Sequence, residues 1–302
     1  MRILMSGSSG LIGSAISVAL ARDGHTVGRL VRPNSALGAQ TNDVLWDPVA
    51  GKFDAATAEG ADAVVHLAGA SIADGRWSAA RKNLLRTSRI EATRHLVESL
   101  GGLARPPRIF IGASAIGYFG DRGDESLDER SAPGADFLAK LCEEWEREES
   151  LAAGFGARVV SLRTGIVLAK NGGALPRMAL PFKFGAGGRL GSGRQWMSWI
   201  ALRDVVGIAK FALANDAISG AIDAVSPEPM RNSDFTRALA EVMHRPALFP
   251  APAFALRLAL GGMADALLLS SQRVFPRRLA ELGYVFAQTD LGAALKEALG
   301  YS

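Results

Sequence analysis

Near the start of the chain, Gly7-Ser8-Ser9-Gly10-Leu11-Ile12-Gly13 carries the first pattern that could do chemistry. The spacing is G-x-x-G-x-x-G. A short apolar run, Ile3-Leu4-Met5, precedes it, and a helix-forming stretch, Ile12 to Arg22, follows. Such a turn suits a pyrophosphate. Gly7 turns the chain, Gly10 lets a phosphate approach the backbone, and Gly13 lets the helix pack closely. Phosphates then meet the N–H groups around Ser9, Gly10, Leu11 and Ile12, at the positive end of the helix dipole. The ligand this predicts is a dinucleotide.

About twenty residues further on, an NAD site would place a carboxylate for the ribose hydroxyls. Thr26-Val27-Gly28-Arg29-Leu30-Val31-Arg32 has none and ends on an arginine. Arg32 can pair with a 2′-phosphate, so NADP(H) is expected in preference to NAD(H). Arg29, three residues earlier, faces the other side of the strand. Leu67-Ala68-Gly69 ends a further apolar run with small residues that let a cofactor lie against the backbone. Downstream, Arg194-Gln195-Trp196 opens a stretch that alternates like a strand. Arginine beside aromatics suits a planar or anionic substrate. The same pattern also suits core tryptophans with a surface arginine.

The elements that must position these residues read as α/β. Apolar runs at Ile3–Met5, Thr26–Val31, Asp43–Trp46, Ala63–Leu67, Arg108–Gly112 and Arg158–Leu162 alternate with helical patterns. The helices are expected at Ile12–Arg22, Ala79–Leu100, Phe137–Ala153 and Arg203–Leu213. This predicts a doubly wound parallel sheet of the Rossmann type over residues 1–170. The helix near 203–214 is expected to pack back on it. Residues 171–244, rich in glycine at first, read as a smaller mixed substrate lobe, and 245–302 as a small helical domain. The apolar C-terminal helices, Ala253–Leu260 and Met263–Leu269, read as core packing or a homodimer surface.

Composition narrows the partners. The 302 residues are 48% hydrophobic and 21% charged, with a net charge of +4 spread without a basic block. Nucleic acid is therefore not expected as a partner. The four histidines, His25, His66, His95 and His244, lack ligand spacing, so no metal is expected. A single cysteine, Cys142, fits a reducing compartment. With no membrane span or signal-like segment in view, the expectation is a cytoplasmic protein with a small-molecule substrate and no membrane partner.

These residues resemble the short-chain dehydrogenase/reductase superfamily in its extended, epimerase-like form. Further strings sharpen the resemblance: Ile72-Ala73-Asp74-Gly75-Arg76-Trp77, Thr87-Ser88-Arg89, Gly117-Tyr118-Phe119-Gly120-Asp121, Gly185-Ala186-Gly187-Gly188, Gly191-Ser192-Gly193-Arg194-Gln195-Trp196 and Ser271-Gln272-Arg273-Val274-Phe275-Pro276. Together they are similar to the atypical "epimerase family protein" group, which ends in a domain of unknown function.

The resemblance implies a serine plus a Tyr-x-x-x-Lys pair at the reaction centre. Ser114 matches the serine and Lys140 the lysine, which would also hold the nicotinamide ribose. Asp136 and Phe137 stand four and three residues before Lys140, so the usual tyrosine is missing. Tyr118 is the one phenol near Ser114 in sequence, at what is a structural loop tyrosine in the family pattern. Thr164, Gly165 and Val167 match the segment that meets the nicotinamide end, and Arg89 a cofactor-proximal position. Arg76 and Trp77 are expected near the substrate mouth. Where the family usually has a histidine after its Trp-Ile pair, this chain has Ala201. Two readings follow. One is an oxidoreductase or epimerase acting on a small carbonyl or sugar-nucleotide-like substrate. The other is a non-catalytic NADP(H)-responsive binding protein.

Overall fold

The computed structural model describes residues 1–33, 35 and 40–301. Its centre is an eight-stranded sheet. The strands are β1 (Arg2–Ser6), β2 (Thr26–Val31), β3 (Val44–Asp47), β4 (Lys52–Phe53), β5 (Ala63–His66), β6 (Ile109–Ala115), β7 (Arg158–Thr164) and β8 (Gly220–Ala224). Their spatial order is β8-β7-β6-β5-β1-β2-β3-β4. All neighbours are parallel except β4, which runs antiparallel to β3. The order reverses between β1 and β5, and crevices at the carboxyl ends of such strands are where α/β sheets bind ligands.

Alternation along the strands builds a core on each face. Ile3 and Met5 of β1 point one way with Val65 and Ile111, and pack against α1 (Leu11–Arg22) through Ile16 and Leu20. Leu4, Val64 and Phe110 point the other way, toward Leu96 and Leu100 of the helix at Ile90–Gly101. Strands buried on both faces must be continuously apolar, which is why these runs are legible.

The expected helix Ala79–Leu100 is two helices, α2 (Ala79–Thr87) and α3 (Ile90–Gly101). They part at Ser88 and Arg89, whose side chains bind the loop after β5: Ser88 Oγ accepts from Ala70 N at 3.1 Å, and Arg89 donates to Ala70 O at 3.0 Å. Tertiary bonds there outcompete a continuous helix. The helix α4 (Phe137–Ser150) then lies beside α3, and α5 (Leu175–Lys183) opens the second lobe. Val205, Ile208 and Ala209 of α6 (Leu202–Ala214) join the core of the sheet.

The remaining lobe has its own core. Phe182 of α5, Trp199, Phe235 and Leu239 of α7 (Asn232–Met243), and Leu291 and Leu295 of the final helix Leu291–Leu299 cluster together. Between α7 and that helix lies α8 (Ala253–Leu260). The core-packing expectation for α8 is corrected by the structure: none of its residues is buried, and Phe254 and Leu258 stand exposed. Further along, Met263 and Ala264 are buried.

Candidate cofactor and active site

The glycine turn occupies the carboxyl end of β1. Gly7 has φ +66, a left-handed conformation that side chains rarely adopt, and a methyl there would lie 2.8 Å from the Leu67 carbonyl. Gly13 is closed to any side chain by Gly7 and Ser8 beneath it. Gly10 differs. It is exposed, it caps α1, and a methyl on it would meet only Gly7 O, at 3.3 Å. No side chain caps the helix start and no acid stands in its first turn. The start of α1 therefore carries nothing that would repel an anion.

A buried polar chain braces the two loops of this crevice. Ser6 Oγ accepts from the amides of Leu67 and Ala68, both at 3.1 Å, and lies 2.7 Å from His66 Nδ1. His66 Nε2 is 3.0 Å from Thr93 Oγ1, which also accepts from Trp145 Nε1 at 3.0 Å. With its lone pairs taken by two amides, Ser6 must donate to Nδ1, so His66 carries its proton on Nε2. Burial lowers the pKa of His66 to about 4, keeping it neutral. Leu67, Ala68 and Gly69 are thus held beside the glycine turn, with Arg89 packed beneath Gly69 and over the Trp145 ring.

At the end of β2 the two arginines separate by role. Arg29 is locked to Asp43 by bonds of 2.7 and 2.6 Å, and holds that carboxyl below its ordinary range. Arg32 stands exposed past the strand end, in no carboxylate pair among the described residues.

The position of Ser114 is where structure and expectation diverge most. Ser114 lies in register with Arg163 on β7, and Arg163 with Asp223 on β8, forming one row across three strands. Helix α4 lies over this part of the sheet and presents Leu138, Cys142 and Glu146 to it. Leu138 and Cys142 pack on Gly117, and Ser114 Oγ donates to Glu146 at 2.6 Å. Glu146 in turn takes both arms of Arg163, at 2.7 Å each. The Arg163 guanidinium stacks 3.4 Å from the centre of the Tyr118 ring. One turn further, Glu149 is fully buried against Gly112, where a methyl would overlap its carboxyl, and accepts from Ser161 Oγ.

Lys140 is the correction. It lies two residues before Cys142, about 200° around the helix, and is exposed to solvent. Helix geometry therefore puts it away from Ser114. The i,i+4 pair facing the serine is Leu138 and Cys142, neither a phenol nor an ammonium. Burial pushes the Cys142 thiol up to about 12. Burial also raises the Tyr118 phenol, the opposite of the lowered pKa that a proton-transferring tyrosine needs.

Of the residues expected near a substrate, Trp77 donates to Ile72 O at 2.9 Å and meets Phe137 edge-on. With Lys82, Arg257 and Asp265, these two rings line a cavity of about 270 Å³ between the sheet domain and the C-terminal segment. Arg76 is exposed and lies near Gly261. Gln195 is buried, its amide donating to Leu190 O and Leu268 O. Trp196 is sandwiched between Arg231 and Arg273, at 4.4 and 4.5 Å, and donates to Asp124. Arg194 is exposed. Gly165 is packed against Ser198 O and the Val225 side chain. Thr164 and Val167 flank it, half-buried.

A doubly wound sheet with a glycine turn at its switch point defines the Rossmann class. The chain belongs to the NAD dependent epimerase/dehydratase family, whose model matches residues 3–223. Residues 251–298 match a domain of unknown function, DUF1731. The epimerase family protein Mb2239 of Mycobacterium bovis is 43% identical over 302 residues, 99% of this chain and 97% of that protein. Among solved structures, human epimerase family protein SDR39U1 (isoform 2), determined with NADPH, matches with a TM-score of 0.89 and 32% identity over 99% of both chains. A nucleoside-diphosphate sugar epimerase from Corynebacterium glutamicum matches with a TM-score of 0.82 and 36% identity, over 100% of this chain and 59% of that one.

Proposed function

We propose that this protein binds NADP(H) and responds to it as a binding protein, without the tyrosine–lysine proton relay of its superfamily. The observation that carries this reading is the face of α4 turned to Ser114, which offers Leu138, Cys142 and Glu146. Gly7, Ser9, Gly10, Leu11, Ile12 and Gly13 would hold the pyrophosphate, and Arg32 the 2′-phosphate. Leu67, Ala68, Gly69, Thr164, Gly165 and Val167 would line the remainder, with Arg89 supporting it. The human relative's NADPH supports the choice of cofactor. A bound nicotinamide would supply hydride-transfer chemistry. A proton partner for that step is what this chain lacks in the usual place.

The polarity of Ser114 sharpens the point. In the usual arrangement the serine donates to the reacting oxygen. Here its hydrogen is committed to a carboxylate, so Ser114 has only lone pairs to offer a ligand. It suits a hydroxyl or amide donor better than a carbonyl.

A second reading, an oxidoreductase or epimerase acting on a small carbonyl or sugar-nucleotide-like substrate, draws on one observation. Glu146 keeps 15% of its side chain exposed, beside the Ser114 hydroxyl, and could accept a proton in place of a phenol. Nicotinamide absorbance and product analysis over a panel of carbonyls and sugar nucleotides separate the two readings. Turnover abolished by Glu146→Gln would establish the enzyme. Cofactor binding that changes ligand affinity without turnover would establish the binding protein.

A further inference from the structure

Two stretches of this chain contain no carboxylate: the residues between Glu149 and Asp204, and those between Glu241 and Asp265. The chain as a whole carries 30 acidic residues in 302, about one in ten, so the first stretch should hold about five and the second about two. The fold brings parts of the two together. Phe249 N donates to Gly187 O at 3.0 Å, Ala251 N to Arg189 O at 2.9 Å, and Gly191 N to Ala251 O at 2.8 Å. Helix α8 begins two residues after Ala251 and buries none of its side chains.

These segments carry Leu180, Phe184, Leu248, Phe249, Phe254 and Leu258, each more than half exposed. Lys183, Arg189 and Arg245 lie among them, exposed and in no carboxylate pair among the described residues. Large apolar side chains in solvent signal a contact surface. The charge selects the partner. The exposed acids bound to these helices, Asp265 on Arg257 of α8 and Asp74 on Arg177 of α5, are already paired, so a symmetric contact between two copies would press Lys183, Arg189 and Arg245 on one another. An anionic surface would meet both features at once, its headgroups pairing with the cations and its apolar layer receiving the aromatics.

We propose that this face docks reversibly on an anionic lipid surface. Among the described residues no helix is long and apolar enough to cross a membrane, which suits a peripheral contact. The proposal replaces the expectation of no membrane partner, and it does not depend on the cofactor reading.

The test uses the full chain with vesicles of phosphatidylglycerol mixed into phosphatidylcholine, and of phosphatidylcholine alone, in a sedimentation assay. Binding is expected only to the mixed vesicles and should weaken with salt. Lys183→Glu with Arg245→Glu should weaken it by about tenfold or more, since each cation near an anionic surface contributes severalfold. Phe254→Ser with Leu258→Ser, on a helix with nothing buried, should weaken it while leaving the melting temperature unchanged. No binding to the mixed vesicles would overturn the proposal, as would equal binding to both compositions. A concentration-dependent dimer lost in the Phe254/Leu258 variant, with no vesicle binding, would assign the face to a second copy instead.

Discussion

Replacing Glu146 by leucine removes the one carboxylate that pairs with Arg163 at 2.7 Å. The side chains are only 5% and 15% exposed for Arg163 and Glu146, so solvent screens the pair little. Breaking a buried pair from one side costs about 3–5 kcal/mol, because the remaining charge is left uncompensated. Two neighbours decide where in that range the loss falls. The Tyr118 ring stays stacked on the guanidinium. Asp223, in register with Arg163, is buried with neither carboxyl oxygen hydrogen-bonded among the described residues, and burial holds its pKa well above the ordinary value. An unpaired Arg163 would draw Asp223 into its charged form as a replacement. Glu146→Leu should therefore cost about 3 kcal/mol, and Glu146→Leu with Asp223→Asn about 5 kcal/mol. Asp223→Asn alone should be neutral or stabilising near pH 7. The raised pKa means the folded state favours the protonated acid, an advantage present below the unfolded pKa and lost as pH rises. Urea unfolding of the three variants measures all of this. A cost below about 1 kcal/mol for Glu146→Leu, the range of an exposed pair, would refute the reasoning, and so would strictly additive losses.

Gly10→Val should abolish cofactor binding while the protein still unfolds cooperatively, because the first carbon of the new side chain meets only Gly7 O, at 3.3 Å, and the branches would project where phosphate would sit; retained binding in a titration would rule out this turn. Lys140→Met should leave both cofactor affinity and stability unchanged, since Lys140 is exposed and turned from Ser114; a severalfold loss of affinity would restore the ribose-holding role. His66 titrates near 6.5 in the unfolded chain and about 4 in the folded one. As pH falls through that window the unfolded state binds a proton first, so stability present above pH 6.5 should decline by about 3 kcal/mol by pH 4. Unfolding curves of the protein and of His66→Asn across that range check it, and the variant should lack this part of the decline.

The glycine turn and the strand ends around it were legible because their logic is local. Gly7, Gly10 and Gly13 sit in one turn, Arg32 follows one strand, and Leu67–Gly69 another. The doubly wound sheet was legible for a related reason, since strands buried on both faces leave unbroken apolar runs. The polar cluster around Ser114 was hidden because it is assembled across the sheet. Ser114, Arg163 and Asp223 are brought side by side by strand register, and Glu146 reaches them from a helix. One signal was present in α4: Leu138, Cys142, Trp145 and Glu149 fall on a single helical stripe, so a carboxylate stood on the apolar face. Reading outward from that stripe turns Lys140 to solvent, whereas counting back from the lysine does not. The split at Ser88 and Arg89 was equally invisible, because the bonds that cause it go to Ala70.

The central claim is an NADP(H) site built on the Gly7–Gly13 turn and Arg32. Calorimetric titration of the unmutated protein with NADPH and with NADH tests it most directly, repeated with Arg32→Asp. A charge-assisted bond to the 2′-phosphate contributes about 1.5–3 kcal/mol, so NADPH should bind about tenfold tighter or more, and Arg32→Asp should remove that preference. Equal affinities for NADPH and NADH in the unmutated protein would contradict it.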